Sequence, residues 1–103
     1  MAGVRVLRTA SHRIDEIYRH TRERWGEAQA DRYIQGLFDS FAVAAGFGSS
    51  SRPIPAELGV VGYVYRYERH FVYWRELSDG DIGIVTVLHE RMHQIERLKN
   101  EFS

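Results

Sequence analysis

The chain has 103 residues, 44% of them hydrophobic, and its 14 Lys and Arg balance 14 Asp and Glu. That length supports one compact domain over residues 1–103, and the apolar content excludes a disordered chain. Zero net charge, no cysteine and no apolar run of signal-peptide or membrane-span length exclude a broadly basic nucleic-acid binder, a disulfide scaffold and a membrane protein, leaving a cytoplasmic protein as the expectation.

Residues 4–8 alternate and predict a short first strand. Thr9 or Ser11 is placed to cap a helix in which Ile14, Ile17, Tyr18, Thr21 and Trp25 share one side. Gly26 stands where a helix-ending glycine belongs. The helical pattern restarts at Ala30 and runs through Tyr33, Ile34, Leu37, Phe38, Phe41, Ala44 and Ala45, so the two helices should form an antiparallel hairpin. Gly46 to Pro55 holds both prolines and reads as a loop.

Beyond that loop the period changes to two. Val60–Tyr67 predicts a strand with Tyr63, Tyr65 and Tyr67 on one face, and Glu68-Arg69 is a turn. His70–Leu77 predicts the next strand, the Asp79-Gly80 step a hairpin, and Ile82–Leu88 a third strand. Residues 92–99 can form a short terminal helix. The fold class is therefore α+β: an N-terminal strand, a helical hairpin, then a three-stranded antiparallel meander completing one sheet. The hairpin would cover one face of that sheet and leave the other for solvent or a partner.

The aromatic set around Tyr63 to Trp74 exceeds what one buried sheet face needs. Alternate positions point to opposite faces, and Tyr63, Tyr65 and Tyr67 are the candidate partner-facing row. His89-Glu90-Arg91-Met92-His93 matches H-E-x-x-H, a zinc-protease pattern that requires both histidines one helical turn apart. The β-branched run before it places His89 at a strand end, and only Glu96 and Glu101 remain downstream as third ligands. No metal or cofactor is therefore assigned, and a zinc metallopeptidase is the reading this run alone would support.

Three segments in order resemble the ParE branch of the ParE/RelE toxin superfamily. They are Ile14-Asp15-Glu16-Ile17 leading to Trp25-Gly26, His70-Phe71-Val72-Tyr73-Trp74-Arg75, and Val87-Leu88-His89-Glu90-Arg91-Met92. The chain departs from the family at Gly62-Tyr63-Val64-Tyr65, where a Gly-Tyr-Arg step is usual and the nearest arginine is Arg66. The resemblance implies a toxin of a type II toxin–antitoxin pair, neutralised by a cognate antitoxin, with DNA gyrase as target and DNA met only through the antitoxin. The alternative it carries is a RelE-like ribosome-dependent mRNA endonuclease. No catalytic residue is expected of a gyrase inhibitor; a nuclease would draw on His70, Tyr73, Arg75, His89 and Arg91. Tyr63, Tyr65, Arg66, Tyr67, Arg75 and Arg91 are the antitoxin-binding candidates, the arginines being suited to partner carboxylates. The family's C-terminal segment is associated with toxicity, which makes Met92, Ile95, Leu98 and Phe102 the target-binding candidates.

Overall fold

The computed structural model describes residues 3–46 and 51–102; positions 47–50 of the expected loop lie outside them. The elements are β1 (Val4–Val6), α1 (Arg8–Trp25), α2 (Glu27–Ala45), β2 (Arg52–Pro53), a 3-10 turn (Ala56–Leu58), β3 (Tyr63–Tyr67), β4 (His70–Glu76), β5 (Ile82–His89) and α3 (Gln94–Glu101). The sheet order is β1-β5-β4-β3-β2, with β1 parallel to β5 and the other neighbours antiparallel. The expected α+β order is present, with two additions from the Pro-containing stretch. β2 pairs only Arg52 with Val64 and Pro53 with Tyr63. Pro53 cannot donate to a ladder, and a sheet edge is where it is tolerated.

α1 starts one turn earlier than its polar residues suggest. Leu7 occupies the N-cap without any side-chain cap. Its amide donates to the Ile84 carbonyl (3.0 Å) while its own carbonyl accepts from Ser11 N–H (2.9 Å). The chain thus passes directly from strand pairing into helix, and neither Thr9 nor Ser11 is needed as a cap. Gly26, at φ 95°, does end α1 and is also the N-cap of α2. The Asp79-Gly80 turn closes β4 onto β5, with Leu77 N–H on the Asp81 carbonyl at 2.8 Å and Gly80 at φ 91°. Arg5 reaches that turn from β1, pairing with Asp79 and with Asp81. A bulge at Tyr73/Trp74 shifts the β4–β5 register, so Tyr73 faces Thr86 and Trp74 faces Ile84.

Both faces of the sheet are covered. The helical hairpin packs Ile14, Ile17, Leu37 and Phe41 onto Tyr65, Val72, Trp74, Ile84 and Val87. On the other face α3 and the 3-10 turn close over Ile54, Val64, Tyr73 and Leu88, with Leu98 at the centre. The sheet face expected to stay open is therefore occupied by the chain's own C-terminal helix.

The tyrosine row meets the helices. Tyr65 is 8% exposed, and its hydroxyl pairs with Ser40 Oγ at 2.6 Å. Tyr67 donates to the Tyr33 carbonyl at 3.0 Å, and Tyr63 stacks on Trp74 at 4.4 Å between centroids. This corrects the expected partner-facing orientation of Tyr63, Tyr65 and Tyr67. Period-two spacing puts the three on one face, and polar groups on α2 take up the hydroxyls of Tyr65 and Tyr67 on that face.

Gly36 makes this packing possible, because a Cβ there would collide with the Tyr67 hydroxyl. Ala would gain about 1 kcal/mol of helix propensity, but the overpacking costs about 1–3 kcal/mol. Gly36→Ala is expected to destabilise the fold by about 1 kcal/mol net, and to become stabilising in a Tyr67→Phe background. Urea denaturation of the single and double variants measures the reversal.

A candidate anionic-partner groove

An open concavity of about 1140 Å³ lies where the α1–α2 turn faces the β3–β4 turn and the end of β5. Two of its polar residues are set by strand pairing. His70 opens β4 and His89 closes β5, and the two are directly paired across the sheet. Their rings meet edge to face with centroids 5.1 Å apart. From α2, the Tyr33 hydroxyl lies 2.7 Å from His70 Nδ1. Burial pushes the Tyr33 phenol up to about 12, so its proton stays in place beside the imidazole. Burial, with His89 beside it, pulls the His70 imidazole down to about 4. At His89, Nδ1 accepts the Arg91 backbone N–H at 3.1 Å.

His70 is therefore neutral at physiological pH. Its folded value lies below the unfolded 6.5, so the unfolded chain binds the extra proton as pH falls. The associated stability is complete above pH 6.5 and is lost as pH drops toward 4. After allowance for partial exposure, the loss is expected to reach about 1–2 kcal/mol. Unfolding of the wild-type chain and of His70→Gln, followed between pH 7.5 and 4.5, checks this; the variant should lack that part of the pH slope.

Arginines surround the two histidines. Glu90 already holds Arg66, and it also pairs with Arg69 at 3.6 Å. Arg66 Nε further donates to the Glu68 carbonyl at 2.8 Å, at the turn residue that adopts φ 51°. Arg24, Arg32 and Arg91 line the groove as well. Arg32 bonds only the Gln29 amide oxygen, at 2.8 Å, and among the described residues none of these three pairs with a carboxylate. Arg24 lies over the Trp25 ring, 5.5 Å from its centroid. Trp25, expected on the buried stripe of α1, is instead 66% exposed and lines the groove.

The five residues proposed for RNA cleavage are not brought together. His70, His89 and Arg91 line this groove. Tyr73 is on the opposite sheet face, where its hydroxyl donates to Gln94 at 2.6 Å. Arg75 lies at the far end of β4, beside Gly59, Val60 and Lys99. The antitoxin-binding candidates are divided in the same way, with Tyr67 and Arg91 in the groove and Arg75 remote from it.

Of the target-binding candidates, Ile95 is exposed, Met92 and Phe102 are half-buried, and Leu98 is fully buried in the second core. Leu98 as a surface contact is thereby corrected: its side chain is the buried apolar residue by which α3 packs on the sheet. The H-E-x-x-H run is not helical. His89 ends β5, Glu90 and Arg91 form a turn, and α3 begins only at Gln94. Trp25, Arg24, Arg32 and Tyr33 were not singled out as site residues. The signal was their clustering on either side of Gly26, where a helical hairpin must turn.

The architecture is that of a small α+β protein whose helical hairpin crosses a β1-β5-β4-β3-β2 sheet. Residues 4–94 match the family model described as the ParE toxin of the type II toxin–antitoxin system parDE. The chain is 37% identical over 83 residues to Toxin ParE from Escherichia coli, covering 80% of this chain and 79% of that one. It also superposes on a chain of the chromosomal ParDE TA system from P. aeruginosa with a TM-score of 0.69, covering 86% and 96% of the two chains at 18% identity. The chain belongs to the ParE toxin family and is the toxin component of a type II toxin–antitoxin system. No helix among the described residues is long and apolar enough to cross a membrane.

Proposed function

We propose that the chain is a cytoplasmic toxin that inhibits DNA gyrase by binding it and is neutralised by a cognate antitoxin, which alone brings it to DNA. Family membership supports this reading, and so does the way the nuclease candidates are distributed. Proton transfer and charge stabilisation at one phosphodiester need their groups within hydrogen-bond reach of the reacting atoms. Here Tyr73 is committed to Gln94 beneath α3, and Arg75 stands at the opposite end of its strand from His70. His70, held neutral and bonded to Tyr33, is a poor proton donor at neutral pH. These placements favour a toxin that acts by occupying a surface.

The deciding experiment is a supercoiling assay with purified gyrase and purified toxin. Loss of supercoiling with trapped cleaved DNA is the expected result. Unimpaired gyrase together with defined cuts in ribosome-bound message would reject the proposal.

A further inference from the structure

We propose that the groove between the α1–α2 turn and the end of β5 seats an acidic segment of the neutralising partner, anchored by an apolar side chain against Trp25. This rests on the reading of the chain as an antitoxin-neutralised toxin, and it locates where part of the neutralising contact is made. Three observations carry it. Arg24, Arg32 and Arg91 line the groove without a carboxylate partner of their own among the described residues. A guanidinium fork presented in this way matches a carboxylate bidentately.

Second, Trp25 is the most exposed aromatic among the described residues, at 66%. Half-buried Met92 lines the same groove. A large, rigid, exposed aromatic in a groove that also holds a thioether is the kind of surface that takes an apolar anchor. Third, Glu16 and Glu68 also line the groove, and the chain's net charge is zero. Carboxylates among the arginines disfavour a continuous run of phosphates but suit a peptide whose charges are interrupted by apolar and neutral residues. The occupant is thus an acidic, apolar-interrupted peptide rather than single-stranded nucleic acid. Arg66 and Arg75, the other arginines suited by position on the sheet, do not serve this groove: the first is held by Glu90, and the second is at the far end of β4.

The test uses the full chain and a synthetic peptide of alternating Glu and Leu, with a Gln–Leu peptide of equal length and an oligo-dT strand as comparisons. Tryptophan fluorescence reads binding, since Trp25 is open while Trp74 is buried. The Glu–Leu peptide should bind best, and its affinity should fall with added salt. Replacing Arg24, Arg32 and Arg91 together by Gln should weaken it roughly tenfold, and Arg75→Gln should leave it unchanged. Equal affinity for the Gln–Leu peptide, tighter binding of oligo-dT, or an unweakened triple variant with a wild-type unfolding midpoint would each overturn the proposal. So would a triple variant that forms as stable a complex with the antitoxin as wild type does. None of those outcomes bears on gyrase inhibition, and an inert gyrase assay leaves the peptide result intact.

Discussion

Leu98→Ala is expected to lower the free energy of unfolding by about 3 kcal/mol, and Ile95→Ala by less than about 0.5 kcal/mol. The two leucine-sized side chains stand one helical turn apart on α3, yet Leu98 is 0% exposed and Ile95 54%. Leu98 fills the space among Ile54, Val64, Tyr73 and Leu88, so truncation leaves a cavity bounded by the sheet and unable to collapse fully. The effect should exceed that of a simple core trim, because α3 has only eight residues. A helix that short is marginal on its own and depends on its packed face. Urea midpoints of both variants decide the matter; equal losses at the two positions would refute the assignment. The result also governs how toxicity data are read. Loss of activity in Leu98→Ala would report a loosened fold, whereas loss in Ile95→Ala at unchanged stability would report a contact with the target.

Helix and strand identities were legible from the sequence because each was written in a period. Ile14 and Ile17 with Leu37 and Phe41 show helical spacing, and Tyr63, Tyr65 and Tyr67 show strand spacing. Gly26 and Asp79-Gly80 mark the turns. What the period cannot encode is which way a face points. Alternation in β3 is equally compatible with tyrosines toward a partner or toward α2. The choice is made by residues far away in sequence: Ser40 and Tyr33 supply hydrogen-bond partners, and Gly36 supplies room. The same holds for α3, whose apolar positions were visible but whose burial depends on a second cluster formed with residues near Ile54. β2 was invisible because two paired residues, one of them proline, leave no periodic trace.

The groove was legible in part. His70 and His89 were noted separately, and only the β4–β5 register makes them neighbours. Trp25 falls on the helical stripe that elsewhere in α1 is buried, so spacing alone placed it in the core. It occupies the last residue of its helix, and there the ring lies in the groove, beneath Arg24. Residues at helix ends near a turn obey the periodicity of the helix without sharing its burial.

Removing either partner of the Arg13–Glu101 pair is expected to destabilise the chain by about 2 kcal/mol, and removing both by appreciably less than the sum. The pair ties α1 to α3 in two parallel bonds, Nε to Oε1 at 3.0 Å and Nη2 to Oε2 at 2.9 Å. Thr86 of β5 adds a hydrogen bond to Glu101 Oε1 at 2.6 Å. The two side chains are 15% and 10% exposed, which sets this bridge apart from the open Arg5–Asp81 contact, worth at most about 1 kcal/mol. Burial alone would push the Glu101 carboxyl up. The hydrogen bonds from Arg13 and Thr86 and the charges of Arg13 and Arg97 outweigh it and hold the carboxyl below its usual 4.5. A carboxyl whose folded value is depressed contributes stability that is complete above the unfolded value and is lost as pH falls through the folded one. This loss begins below about 4.5, where the His70 contribution has largely gone, so the two can be separated along one titration. In Glu101→Ala, Arg13 is left with only Glu16 at 3.4 Å, and α3 loses its side-chain bonds to Arg13 of α1 and Thr86 of β5. In Arg13→Met with Glu101→Leu, apolar contact replaces the bridge and most of the stability should return. A double-mutant cycle from urea denaturation at pH 7 measures the coupling; a value near zero would mean that the bridge does not hold α3 in place.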